Sequence, residues 1–172
     1  MKVVLYMAMT ANGIIARKNY EEDFLSDKNW HVFRNLAQKA GCLVVGRKTY
    51  DIVKKKYKKY SFEDIKAKKM VVSRNPKFRP QGYIVSRSPK DAINKAKKQG
   101  VKTLILTGGG NLNASFMKSN LVDEIILNIE PAVLGKGIPV FAEDNFEARL
   151  NLISTKKLKS GIVQLHYNVR KK

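Results

Sequence analysis

The chain reads Thr103-Leu104-Ile105-Leu106-Thr107-Gly108-Gly109-Gly110-Asn111 at its most informative point. The apolar run is typical of a strand that is buried on both faces of a parallel sheet, and residues 112–119 then suit a helix. Glycine lets the backbone approach a ligand closely, and the free N–H groups at a helix start bind anions. The segment therefore predicts a phosphate-binding turn, although it lacks the GxGxxG spacing of a Rossmann fingerprint. The predicted turn residues are Gly108, Gly109, Gly110 and Asn111.

Apolar strands alternate with helical patterns along most of the chain. Strands are predicted at residues 3–9, 42–45, 70–73, 83–85, 103–107 and 124–129, and helices at 26–40, 47–53, 88–99 and 112–119. This alternation predicts a three-layer α/β fold, a mostly parallel central sheet with helices on both faces.

The remaining segments complete the predicted fold. Residues 150–154 and 162–169 alternate around Ser160-Gly161, which predicts a C-terminal antiparallel hairpin. We expect residues 54–68 to form a lysine-rich surface segment and residues 131–145 to form a loop. The chain shows no repeat or linker, so residues 1–172 are expected to form a single domain.

The chain is strongly basic, with 34 Lys and Arg against 14 Asp and Glu and a formal charge of +20. Such a charge suggests nucleic acid as a partner. However, the lysines are dispersed in short clusters, only Tyr57 and Tyr60 interleave with one of them, and few arginines are present for base readout. We therefore interpret the charge as a solvated surface and expect no nucleic-acid partner. A basic nucleic-acid-binding α/β domain stays the alternative from another class.

Several site classes are disfavoured by composition. The single Cys42 excludes a disulfide scaffold, and with only His31 and His166 no metal site is expected. No apolar run approaches the roughly 20 residues of a membrane helix, so no membrane partner is expected. Residues 1–11 fit a first strand and turn better than a signal peptide, and a cytoplasmic location is expected.

Anion donors follow two other predicted strands. Gly46-Arg47-Lys48-Thr49 comes after strand 42–45, and Ser73-Arg74 comes at the end of strand 70–73. Because ligands of open α/β sheets bind at the carboxyl ends of strands, these segments are expected to meet the glycine turn. NADPH fits such a site, since its pyrophosphate suits the glycine turn and its separate 2′-phosphate suits arginines.

Acidic candidates near this edge are few. Asp27 lies at the predicted start of the first helix, where Ser26 is a potential cap, and Glu130 ends a strand beside Pro131. Asp27 is the best candidate for a catalytic polar anchor or proton relay. A helix-capping charge is an equally good interpretation of Asp27, and an ordered water is an alternative proton source.

The order of these motifs resembles the dihydrofolate reductase-like superfamily. It is most similar to the branch that contains the C-terminal reductase domain of the bifunctional riboflavin-biosynthesis deaminase-reductase. The resemblance spans nearly the whole chain and rests on the following segments: Asn12-Gly13-Ile14-Ile15-Ala16, Ser26-Asp27, Val44 to Tyr50, Val72 to Asn75, Thr107 to Asn111, Leu121 to Glu124, and Glu130 to Phe141.

The resemblance implies an NADPH-dependent reductase that forms a homodimer. It implies that Gly46 to Thr49 and Ser73-Arg74 hold the 2′-phosphate and pyrophosphate, and that the glycine turn contains a cis Gly–Gly peptide. It places Ala8, Ile14 and Ile15 near the nicotinamide. It also matches Asp27 to the acidic residue that contacts the pterin in dihydrofolate reductases.

The implied reaction is hydride transfer to a ribosylamino-pyrimidine, as in a 5-amino-6-(5-phosphoribosylamino)uracil reductase. The alternative is a dihydrofolate reductase or another pterin reductase. Riboflavin enzymes usually carry Asp-Asp-Pro-x-Leu where this chain has Tyr50-Asp51-Ile52-Val53-Lys54, while Asp27 followed by Trp30 is closer to dihydrofolate reductase. The choice between a pyrimidine and a pterin substrate therefore stays open. A protein that binds a dinucleotide without catalysing any reaction is a further alternative.

Overall fold

The computed structural model of the protein describes residues 1–57 and 60–171. Four α-helices and ten β-strands follow one another along these residues, together with 3-10 turns at Phe62–Asp64 and Lys159–Gly161. The elements are β1 (Lys2–Thr10), β2 (Ile14–Ala16), α1 (Asp27–Ala40), β3 (Cys42–Gly46), α2 (Arg47–Lys56), β4 (Lys68–Val72), β5 (Ile84–Ser86), α3 (Pro89–Lys98), β6 (Thr103–Leu106), α4 (Gly110–Lys118), β7 (Glu124–Glu130), β8 (Ile138–Pro139), β9 (Leu150–Lys157) and β10 (Val163–Val169).

Eight strands form one sheet in the order β5-β4-β3-β6-β1-β7-β10-β9. The pairs from β5 through β7 are parallel. The last two pairs, β7 with β10 and β10 with β9, are antiparallel. The predicted fold class, including the C-terminal hairpin, is therefore confirmed.

Helices cover both faces of the sheet, because the central strands are apolar on both sides. On one face, Leu5 and Leu106 pack with residues of α3 and α4. On the other face, Val4 and Ile105 pack with residues of α1 and α2. The side chains of β3 from Cys42 to Val45 are almost completely buried, as their uninterrupted apolar run predicts.

Local sequence sets the helix ends. Helix α1 ends at Gly41, which adopts a left-handed conformation (φ 76°) that glycine reaches without steric cost. Helix α3 begins with Pro89 in its first turn, and the Ser88 hydroxyl accepts a hydrogen bond from the Asp91 N–H at 3.1 Å. These signals explain why the predicted boundaries of both helices lie close to the observed ones.

Two expectations about the loops were wrong. The predicted surface segment 54–68 contributes Phe62 and Ile65 to the core, where they join the α1 face of the sheet. Lys58 and Lys59 of that segment lie outside the described residues. The predicted loop 131–145 contains β8, which pairs with the unpredicted strand β2 in a second, two-stranded sheet. Both elements are too short to produce a periodic signal in the sequence.

Candidate active site

A cleft of about 1040 Å³ opens at the carboxyl ends of the parallel strands. Residues at or just beyond the ends of β3, β4, β5 and β6 line one part of it, which we call the strand-end half. The segment before α1, the first turns of α1 and the end of α2 line the other part, the aromatic half. A cleft at this edge is the usual ligand site of an open α/β sheet.

The strand-end half is organised around the predicted glycine turn. The Gly46 N–H donates to the Gly108 carbonyl at 2.8 Å, which joins the end of β3 to the segment after β6. The Gly108–Gly109 peptide is cis, as the family resemblance implies. Helices α2 and α4 start here at Arg47 and Gly110, and neither start has a side-chain cap. Their first N–H groups are therefore available to an anion.

The turn has little room for side chains. A Cβ atom on Gly110 would lie 2.4 Å from the Pro139 carbonyl oxygen, and one on Gly109 would lie 3.1 Å from the Thr49 hydroxyl. The first distance is prohibitive because the neighbouring atom belongs to the backbone. Gly110 is thus required where α4 passes the β8 segment.

Cations surround the turn. Arg47 lies over the Phe78 ring at 4.7 Å and pairs with Asp51 at 3.4 Å. Ser73 and Arg74 follow β4 at the same edge, and Lys48 lies over the Tyr20 ring at 4.3 Å, where the two halves meet. Sequence reasoning missed Arg87, which also lines the cleft. Its position in the sequence could have predicted this, because Arg87 lies between the predicted strand 83–85 and the Ser88-Pro89 helix start.

Most of the predicted cofactor residues come together in the cleft. Three predicted site residues do not line it, namely Ile14, Gly108 and Asp27. Ile14 pairs with Pro139 between β2 and β8, and Gly108 lies behind the turn against Met7. Those that line the cleft are Ala8, Ile15, Gly46, Arg47, Lys48, Thr49, Ser73, Arg74, Gly109, Gly110 and Asn111.

The acidic candidates lie beside and beneath the cleft. Asp27 is exposed in the first turn of α1, and its carboxylate accepts a hydrogen bond from the Tyr60 hydroxyl. Glu130 is 3% exposed and accepts hydrogen bonds from the Ser26 N–H at 2.8 Å and from the Asn29 side-chain amide. Glu130 therefore fixes the start of α1 from below.

Ser26 occupies the N-cap position of α1, but its hydroxyl makes no capping hydrogen bond. The hydroxyl oxygen is buried without any hydrogen-bond partner among the described residues. Because Ser26 also lines the cleft, a polar group of a bound ligand is a natural partner for it.

The aromatic half has walls formed by Trp30, Phe33, Tyr57 and Tyr60. The Trp30 and Tyr60 rings lie 5.6 Å apart and are tilted by 56° to each other, so they pack as an aromatic pair. The two tyrosines that interleave with the lysine cluster thus line this cleft.

One acidic residue of this half has no signal in the sequence. Glu22 lies in the polar segment 17–25, yet it lines the cleft and is only partly exposed. Burial raises the pKa of its carboxyl group to about 7. Its backbone N–H donates to the Tyr57 hydroxyl at 2.9 Å, which in turn donates to the Tyr20 carbonyl at 3.0 Å.

Other chemistries find little support in the described chain. Within residues 1–57 and 60–171, no three His, Cys, Asp or Glu side chains are grouped so that they could hold a metal ion. Burial raises the pKa of the Cys42 thiol to about 11, so this thiol is a poor nucleophile. None of the helices in the same residues is both long and apolar enough to span a membrane.

Comparison with known proteins gives the family. Residues 1–164 match the RibD C-terminal domain. The chain belongs to the RibD C-terminal domain family. This assignment confirms the resemblance drawn from the motif order, and it favours an oxidoreductase.

Individual relatives agree with the family. The chain is 29% identical to the uncharacterized protein YyaP of Bacillus subtilis (strain 168) over 177 residues, which cover 97% of this chain and 94% of YyaP. It is similar in structure to a putative riboflavin biosynthesis protein from Shewanella sp. PV-4, with a TM-score of 0.82, 23% identity, and coverage of 99% of this chain and 100% of that one.

A dihydrofolate reductase shares the same architecture. The enzyme of Enterococcus faecalis, solved as a complex with NADP(H), has a TM-score of 0.76 at 13% identity and covers 99% of this chain and 97% of its own. At these identities the structural likenesses establish the fold, which is dihydrofolate reductase-like.

Proposed function

We propose that the protein is an NADPH-dependent reductase of the riboflavin-biosynthesis type, which transfers hydride to a ribosylamino-pyrimidine. The family assignment supports this proposal. The observation that carries it is the meeting of two uncapped helix starts, those of α2 and α4, at one glycine turn in the cleft. Two such starts side by side suit a pyrophosphate.

The residues present fit the cofactor. In the proposed complex, the N–H groups of Gly110 and Asn111 hold the pyrophosphate, and Arg47 and Arg74 hold the 2′-phosphate. Ala8 lies on the path toward the aromatic half, where the nicotinamide would supply the hydride. The wall there is largely aromatic, with Glu22 and Ser26 as polar members, so it can both limit water at the reacting atoms and orient the substrate.

A pterin reductase is the second candidate function. Ile52 and Val53 line the cleft in the region where riboflavin enzymes usually carry acidic residues and a proline. Apolar side chains there favour a planar heterocycle without a ribose phosphate. We keep a homodimer, a cytoplasmic location and the absence of a nucleic-acid partner as predictions.

The test is a thermal shift of the purified protein with NADPH, NADH and ATP, followed by turnover with the ribosylamino-pyrimidine phosphate and with dihydrofolate. At a hundredfold excess over its dissociation constant, NADPH should stabilise the protein by about 2.7 kcal/mol. NADH should stabilise it less, because it lacks the 2′-phosphate. No shift with NADPH would refute the proposal, and binding without turnover would identify a dinucleotide-binding protein.

A further inference from the structure

We propose that Glu22 is the catalytic acid of the cleft, whose carboxyl group delivers the proton that accompanies hydride addition to a carbon–nitrogen double bond of the substrate. This inference rests on the proposed function and deepens it. It assigns the proton to a residue other than Asp27, the acid that the sequence favours.

The position of Glu22 is fixed by its neighbours. Its backbone N–H is held by the Tyr57 hydroxyl at 2.9 Å. Arg17 pairs with Asp23 at 2.6 Å, and the Lys56 ammonium donates to the Asn19 carbonyl at 2.9 Å. The Arg17–Asp23 pair closes segment 17–25 on itself, and the Tyr57 and Lys56 contacts attach it to the end of α2, which keeps Glu22 at the cleft.

Burial raises the pKa of the Glu22 carboxyl group to about 7, so a large fraction of it carries a proton at neutral pH. The Tyr57 hydroxyl, which holds the Glu22 backbone N–H, also senses the carboxyl group: burial and, after it, the charges of Glu22, Glu21 and Asp23 raise the pKa of Tyr57. Lys48 lines the same cleft, where its ammonium lies over the Tyr20 ring at 4.3 Å. Among the described residues, no cation forms an ion pair with the Glu22 carboxyl group. Arg17, a cation of the same segment, pairs with Asp23 instead. Burial alone accounts for its raised pKa of about 7, which suits a general acid at physiological pH.

Asp27 lacks these properties. Its side chain is exposed, it does not line the cleft, and its carboxylate accepts a hydrogen bond from Tyr60. Asp27 therefore lies outside the space in which the cleft would hold a substrate.

Both candidate substrates react through the same balanced step once a C=N bond is present. A pterin already carries this bond. A ribosylamino-pyrimidine forms it when the sugar ring opens: the bond between C1′ and the ring oxygen breaks, the ring oxygen gains a proton and the exocyclic nitrogen loses one. The substrate carbon of the C=N bond gains a hydride from NADPH, and its nitrogen gains the proton of Glu22. The C=N double bond becomes a CH–NH single bond, and NADPH becomes NADP⁺. The Glu22 O–H bond breaks, and the carboxylate regains a proton from solvent before the next turnover.

The test compares the pH dependence of kcat for the wild type, Glu22→Gln, Glu22→Asp and Glu21→Gln, with NADPH and substrate saturating. Glu21 is the matched control because it is adjacent, exposed and outside the cleft lining. The wild-type kcat should fall as pH rises through about 7, since the donor must be protonated. Glu22→Gln should lower kcat about 100-fold at pH 6 and abolish this fall.

The controls separate catalysis from structure. Glu22→Asp should keep the fall at a reduced kcat, Glu21→Gln should match the wild type, and the thermal shift with NADPH should be unchanged in all three variants. Wild-type turnover with a pH profile that persists in Glu22→Gln, or that disappears in Asp27→Asn instead, would overturn the assignment alone. Absence of wild-type turnover at every pH would overturn the proposed function and this inference together.

Discussion

The strand-end half and the aromatic half of the cleft differ in whether backbone or side-chain groups form them. The first is mainly backbone, in which a glycine turn and two helix starts are fixed by the sheet itself. The second is mainly side chains, which come from segment 17–25, α1 and the end of α2. The difference indicates that phosphate binding is built into the fold, whereas the choice of substrate depends on replaceable side chains.

The largest expected effect tests the backbone character of the strand-end half. Gly110→Ala places a Cβ atom 2.4 Å from the Pro139 carbonyl oxygen. Alanine gains about 1 kcal/mol over glycine in a helix, but displacing the β8 backbone should cost more. We expect a net loss of about 3 kcal/mol of stability, a melting temperature about 10 °C lower, and a smaller shift with NADPH.

Gly135→Ala provides the control for this substitution. Nothing lies within 4 Å of a Cβ atom there, and the residue does not have a positive φ. Its melting temperature should equal that of the wild type. If the two variants were equally stable, the β8 backbone would have moved at little cost in free energy. The rigid backbone that we assign to the strand-end half would then be refuted.

The next effect concerns the acid of the aromatic half. Because the Glu22 pKa is raised to about 7 from an ordinary value of 4.5, the folded state disfavours the carboxylate. Stability should therefore fall as pH rises from about 4.5 to 7, and Glu22→Gln should remove that loss. We expect the variant to be more stable than the wild type by about 2 kcal/mol at pH 8 and equally stable at pH 4, measured by urea unfolding. A stability difference that is constant with pH would show that Glu22 titrates normally.

The smallest effect tests the cations. Arg74→Ala should weaken NADPH binding about tenfold, because an arginine–phosphate contact at an exposed site contributes about 1.4 kcal/mol. NADH binding should be unchanged, and calorimetric titration of both cofactors measures the difference. Arg149→Ala is the matched control, since Arg149 precedes β9 at the opposite end of the sheet order from β4. Equal losses for NADPH and NADH would assign Arg74 to the pyrophosphate.

The same contrast explains what could be predicted from the sequence. The strand-end half was predictable because its signals are local: an uninterrupted apolar run predicts a strand, and Gly108 to Gly110 predict the turn that follows. Glu22 was not predictable, since its environment is created by Tyr57, which lies 35 residues along the chain. The same holds for Phe62 and Ile65, which are isolated apolar residues in a charged segment and become core only when α1 packs above them.

The uncapped starts of α2 and α4 have a consequence for engineering the protein. Relative to glycine, a Ser or Asp cap stabilises a helix by roughly a few tenths of a kcal/mol. Gly46 has room for one, because its nearest neighbour would lie 3.6 Å from a Cβ atom. Such a cap would satisfy N–H groups at the start of α2, which lies beside the proposed pyrophosphate site at Gly110 and Asn111. Selecting variants for thermostability without cofactor would therefore favour substitutions that block the binding site. Stability screens of this protein should be carried out with NADPH present.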